Sequence, residues 1–208
     1  MDAPIVQGLI AATPFLAGGF LVNVLISLGA MALGTVLGVT LGLARRGPGR
    51  VVADGLTEVA RNVPSFVLLF FLAAVLPERL GLGAVSLSVD ARLTALLALT
   101  IPVVGFAADA TLQVIAAEVA QRARRLAAMA VAWVQYFVVI LMASTTASVI
   151  GVDEIVQRSN QLVSIEAEPE KMLVVYLFVA LWFVVPGVLL LGLGRRLGAR
   201  LAGAEAAS

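Results

Sequence analysis

Cysteine and histidine are both missing from the 208 residues. Without cysteine there is no disulfide framework, thiol nucleophile or thiolate metal site. Without histidine the chain lacks the commonest general base and metal ligand. Charge is scarce as well: 13% of residues are Asp, Glu, Lys or Arg, where an ordinary globular chain carries about 25%. What fills the space is apolar, at 61% hydrophobic residues and a mean hydropathy of +1.06. The apolar residues come in blocks close to the ~20 residues a helix needs to cross a bilayer. Such a composition excludes a soluble domain and points to a polytopic membrane protein with one domain spanning residues 1–208.

Five spans are expected, at about 19–44, 62–77, 91–115, 126–150 and 172–194. Residues 1–17 hold Asp2, Pro4 and Pro14 but no basic residue, so they lack the positive region of a cleavable signal peptide. In the first span Gly29, Gly34, Gly38 and Gly42 form a lane of low bulk, which in a membrane lets another helix approach closely. Glycine is also simply frequent in membrane helices. Gly47-Pro48-Gly49 breaks the chain. Beyond it Leu56, Val59, Ala60 and Val63 share a helical face, with Asp54, Glu58 and Arg61 elsewhere, the pattern of an amphipathic elbow lying along the interface. Pro64 opens the second span, and Gly81, Gly83 and Asp90 lie in a loop. Pro102 and Gly105 sit near the centre of the third span, where the carbonyl freed by proline must find another partner.

Arginine placement orients the bundle. With the N-terminus outside and the C-terminus cytoplasmic, Arg45, Arg46, Arg50, Arg61, Arg122, Arg124, Arg125, Arg195, Arg196 and Arg200 all lie inside. Outside remain Arg79, Arg92, Arg158 and Lys171 among seven acidic residues.

Four stretches carry a family likeness in order. They are Gly19-Phe20-Leu21-Val22-Asn23-Val24-Leu25 with the Arg45-Arg46 exit; the elbow Thr57-Glu58-Val59-Ala60-Arg61-Asn62-Val63-Pro64; Gly105-Phe106-Ala107-Ala108-Asp109; and residues 144–155 with Ser148-Val149-Ile150-Gly151-Val152. The chain resembles the membrane permease subunits of bacterial polar amino-acid ABC importers, the histidine/glutamine permease type. That resemblance implies an all-α, five-helix permease of the bacterial inner (plasma) membrane. A periplasmic or extracellular substrate-binding protein would deliver substrate to the acidic outer loops. Transport would alternate access between two permease subunits, and two ABC ATPase subunits would bind the ATP, leaving no cofactor in this chain. One departure is large. The family places about thirty residues between its third and fourth spans, with a Glu-Ala-Ala-x-x-x-Gly coupling stretch, and here only residues 116–125 stand there. A coupling-deficient partner in a heterodimer fits this better than a homodimer; the rival is a non-transporting diverged permease, kept for assembly or regulation.

Candidate pathway residues are Phe106, Asp109, Ser144 and Thr145. A carboxylate at membrane depth costs a few kcal/mol and has to face protein or water. Asp109 therefore either lines the pathway or pairs with a basic group of the partner subunit, or else reaches Arg122 or headgroups at the surface. Phe106 either stacks on substrate or packs, and the hydroxyls of Ser144 and Thr145 either meet substrate or bond their own helix. Glu118, Arg122, Arg124 and Arg125 form the turn that would face an ATPase, or that simply sits on anionic membrane lipid. No nucleophile–base pair, metal cluster, phosphate loop or nucleic-acid motif is present in the sequence, so an enzyme is not expected.

The charge pattern makes the topology directly testable. Reporters fused after Arg50, near Arg122 or after Arg200 should read cytoplasm, and those after Gly83 or Glu166 should read outside. An outside signal at residue 122 would overturn both the span count and the family likeness.

Overall fold

The computed structural model describes residues 3–77, 79–82, 85–118, 121–166 and 169–205. Helix α1 is Ala3–Ala44 and α2 is Arg50–Asn62. Helix α3 is Ser65–Val75, and strands β1 (Arg79–Leu82) and β2 (Val85–Ser88) form an antiparallel hairpin. Then come α4 (Ala91–Ala116) and α5 (Arg122–Ala143), which tightens into a 3-10 turn over Ser144–Ile150. Helices α6 (Ile155–Glu166) and α7 (Pro169–Glu205) complete the chain.

Four helices are long and apolar enough to cross a membrane, and the α2–α3 pair, bent by 100°, makes up to five. The bend sits at Val63, whose extended backbone (φ −75°, ψ 123°) ends α2 before Pro64, as the crowding between proline and its predecessor demands. Eleven residues of α3 cover only about 16 Å, so the expected second span at 62–77 is a broken one.

Three boundaries differ from the sequence expectation. Helix α1 begins at Ala3, not near 19, because Pro14 and Gly18-Gly19 are absorbed inside the helix. Helix α7 runs through Arg195 and Arg196 to Glu205. The loop at 78–90 contains the short hairpin, and Asp90 closes it by capping α4, its side chain accepting from the Leu93 amide at 2.8 Å. The elbow leaves its bulky apolar residues outward, as a helix lying along the interface requires. Ala53, Thr57 and Ala60 are buried, while Leu56 and Val59 are exposed, 54% and 59%. Small residues meet the bundle, leaving the bulky ones for the membrane interface.

The glycine lane packs against α4. A methyl group at Gly38 would lie 2.4 Å from the Ala107 side chain and 2.6 Å from the Val104 carbonyl; one at Gly34 would lie 2.5 Å from the Val103 side chain. Gly29 and Gly42 meet Leu96 and Ala108 in the same way. Backbone thus approaches backbone along the length of both helices, the packing available where lipid supplies no hydrophobic drive. Ile26, Ala30 and Met31 of α1 join Ala98, Leu99 and Val103 of α4 in the core, with Leu69 of α3. A second cluster, Leu16, Leu141, Ile155, Val179 and Phe183, ties α1 to α5, α6 and α7.

Gly38→Val should therefore force the helices apart, at about 1–3 kcal/mol for an overpacked interior. A lowered thermal midpoint in detergent would register it. Gly8→Ala, where nothing lies within 4 Å, should leave the midpoint unchanged or raise it.

Candidate functional site

The stretch Gly105-Phe106-Ala107-Ala108-Asp109 is where α1, α2, α4 and α5 meet, and each residue has a separate task. Gly105 admits the end of α2: a methyl there would lie 2.7 Å from the Arg61 side chain and 3.2 Å from the Ala60 backbone. Ala107 and Ala108 accommodate Gly38 and Gly42. Phe106 stacks on Tyr136 of α5, with ring centroids 4.1 Å apart and planes within 6°, and meets Trp133 at 4.9 Å. The Tyr136 hydroxyl donates to the Pro102 carbonyl at 3.0 Å, one turn beyond the carbonyl that the proline frees.

Asp109 receives two arginines. Its Oδ1 accepts from Arg45 Nη1 at 2.6 Å, and its Oδ2 is ion-paired with Arg61 Nη1 at 2.8 Å. Arg45 Nε donates in turn to Asp54 Oδ1 at 2.6 Å, and Arg50 reaches the other oxygen of Asp54 at 3.3 Å. The expected surface partner Arg122 is not the one found. The cluster stitches the end of α1 and both ends of α2 to α4. Arg45 and Asp109 are 16% and 26% exposed, so their pairing is screened less than a surface bridge.

Beside this cluster a half-open cleft of about 510 Å³ separates α4 from α5, lined by Arg61, Phe106, Asp109, Gln113, Arg125 and Tyr136 with small and apolar neighbours. Of the sequence candidates, then, Phe106, Asp109 and Arg125 share one cavity. Arg122, Arg124 and Glu118 are exposed at the turn. Ser144 and Thr145 do not join them: their hydroxyls donate to the carbonyls of Leu141 and Met142 at 2.7 and 2.8 Å.

Ser144 belongs to a second polar cluster at the opposite end of the bundle. Asn23 Nδ2 donates to Ser144 Oγ at 2.9 Å and to Glu154 Oε2 at 3.0 Å, while Asn23 Oδ1 accepts from the Ile155 amide at 3.2 Å. Glu154 Oε1 accepts from the Gln157 amide at 2.8 Å and so caps α6. Asn23, Ser144 and Glu154 are all 0% exposed. Burial pushes the Glu154 carboxyl above its ordinary pKa, partly offset by hydrogen bonds from the Val156 amide, Asn23 and Gln157. Sequence reading counted Glu154 among outer-loop acids. Its signal was local: an acid just before a helical run, after a Gly151 held at φ 86°. Along α1, Asn23 and Arg45 are separated by about 33 Å, close to the ~30 Å of a hydrocarbon core. The two clusters therefore mark the two faces of the bundle. Among the described residues no group of acids is placed to hold a metal ion.

Both Glu154 oxygens accept from fixed donors, so an acceptor-only carboxylate is required. Glu154→Gln should turn a donor toward Asn23 Nδ2 and cost about 1–3 kcal/mol, read as a lower thermal midpoint; Glu118→Gln, at an exposed position, is the control.

No family model and no curated protein matches the sequence. Solved structures do match the fold. An amino-acid ABC transporter crystallised with histidines superposes with a TM-score of 0.76 at 18% identity, over 96% of this chain and 100% of that one. The MetNI methionine ABC transporter, in inward-facing conformations, gives 0.63 at 15% identity, over 97% and 99% of the respective chains. The fold of this chain is that of these ABC-transporter structures, helical apart from the β1–β2 hairpin.

Proposed function

We propose that the chain is the transmembrane subunit of an ABC-type importer for polar amino acids, of the histidine/glutamine permease type, in a bacterial inner membrane. The observation that carries this reading is the end-to-end likeness to the amino-acid transporter, joined to the elbow and Gly105–Asp109 motifs at its basic end. In this reading the basic end faces the cytoplasm and the Asn23–Glu154 end faces outward. Phe106 and Asp109 border the pathway, with Asp109 acting as an ionic strut, since both its oxygens are already held by arginine. Substrate would come from an external binding protein, and ATP would be hydrolysed by partner ATPase subunits.

The link between α4 and α5 favours a coupling-deficient role. It is residues 117–121, and a chain that short reaches at most ~3.6 Å per residue. Going out and back, it projects less than the ~10 Å diameter of a single helix. No coupling helix of ordinary depth fits there, so an intact second permease would supply it. The same short link supports the second reading, a non-transporting permease retained for assembly or regulation.

Purification in mild detergent separates the two. A transporting subunit should bring an ATPase and a second permease with it, and substrate-stimulated ATP hydrolysis should need all three. Stimulation by this subunit and the ATPase alone would discard the coupling-deficient heterodimer. Recovery of neither partner would leave the non-transporting reading.

A further inference from the structure

Arg61 stands between two carboxylates. Its Nη1 lies 2.8 Å from Asp109 Oδ2 on α4 and 3.9 Å from Glu58 Oε1 on its own helix. Asp109 has a second cation, because Arg45 Nη1 donates to its other oxygen at 2.6 Å. Arg45 also holds Asp54 of α2 through its Nε. Moving Arg61 from Asp109 to Glu58 would therefore leave every one of these charges paired. Such an exchange avoids the uncompensated charge that makes breaking an ion pair costly.

The joints at either end of α2 suit it to that movement. Before it stands Gly47-Pro48-Gly49, and Gly49 gives the helix no side-chain cap. After it comes extended Val63 and then Pro64, which has no amide hydrogen to carry the ladder of α2 into α3. The inward face between them is Ala53, Thr57 and Ala60, and the C-terminal end rests on the bare backbone of Gly105. Small residues bury little apolar area, so the ionic contacts carry much of the hold. Because Asp54 stays with Arg45, the end that is free to lift is the one bearing Arg61.

We propose that Arg61 is a two-position latch. Paired with Asp109 it holds the end of α2 down on α4; paired with Glu58 it lets that end rise, with Val63-Pro64 absorbing the turn as a hinge does. Arg61 lines the α4–α5 cleft beside Phe106 and Asp109, so release takes it off the cleft wall and opens the cleft on the α2 side. The inference does not rest on a transport role.

A chain without cysteine lets one introduced thiol report local opening. Thr57 of α2 and Ser159 of α6 are both buried, and each hydroxyl donates to the carbonyl one turn back on its own helix. Thr57→Cys and Ser159→Cys are thus matched probes for N-ethylmaleimide labelling of the whole chain in lipid nanodiscs. Asp109→Asn should speed labelling at position 57 about tenfold or more, the factor that goes with losing a hydrogen bond to a charged group, and leave position 159 unchanged. Glu58→Gln, which keeps an acceptor for Asn62 but removes the second position, should slow labelling at 57. Arg61→Gln should speed it, and adding Glu58→Gln to Arg61→Gln should then change nothing. Unaltered labelling at 57 in Asp109→Asn would overturn the latch. So would equal acceleration at 57 and 159, which marks general loosening, or a Glu58→Gln variant that labels as fast as its parent.

Discussion

The close approach of α1 to α4 is the contact on which the rest of the bundle depends. Lipid tails are as apolar as leucine, so burying leucine between two helices gains little in a membrane. What holds them is contact, and contact requires that one surface be nearly bare. Gly34 and Gly38 supply that surface, and Val103, Ala107 and the carbonyls of α4 fill it. Once the backbones lie this close, register matters, because a shift of one residue would drive a side chain into a carbonyl. Polar groups at each end then fix that register. Arg45 leaves α1 at the height of Asp109, while Asn23 meets Ser144 and Glu154 at the other end.

The remaining helices arrange themselves around this pair unevenly. Helix α2 crosses α4 at Gly105 and is pinned by Arg61. Helix α5 turns instead to α7, which presents Gly187, Gly194 and Gly198 to Val138, Val134 and Val131. Sequence neighbours in a helical hairpin usually pack together along their length, but here α5 leans away and the space beside α4 stays open. Alanine at 110, 128 and 132 widens it further. The cleft therefore follows from two local choices: glycine on α7 and alanine on the facing sides of α4 and α5.

Much of this could be read from residue order. Apolar blocks gave the spans, Gly47-Pro48-Gly49 and Pro64 marked helix ends, and the glycine lane foretold a close partner without naming it. The site was legible only in pieces. Asp109 stood out as an intramembrane acid, yet its partners lie 64 and 48 residues away, and no local pattern selects Arg45 and Arg61 over Arg122. Ser144 and Glu154 looked like a pathway hydroxyl and a loop acid because Asn23, more than 120 residues distant, was a neutral amide in an apolar run. Helical periodicity reports which face is buried, not which helix buries it. In the elbow it marked Leu56 and Val59 as an apolar face, but not that Ala53, Thr57 and Ala60 are the residues that pack inward.

The two polar clusters differ in how readily they can be rearranged. At the Asn23 end the Asn23, Ser144 and Glu154 side chains are all fully buried, and opening the network would leave a carboxylate and an amide unpaired in a dry site. At the Asp109 end the partners reach water: Arg61 is 47% exposed and Asp54 37%. An arginine leaving Asp109 there is solvated as it goes, and Arg45, Arg50 and Arg61 share three carboxylates, Asp54, Asp109 and Glu58. Local opening follows the least buried polar contacts. Motion of α2 against α4 should thus begin at the arginine-rich end, with the Asn23–Glu154 network as the fixed point about which α1 and α4 stay joined.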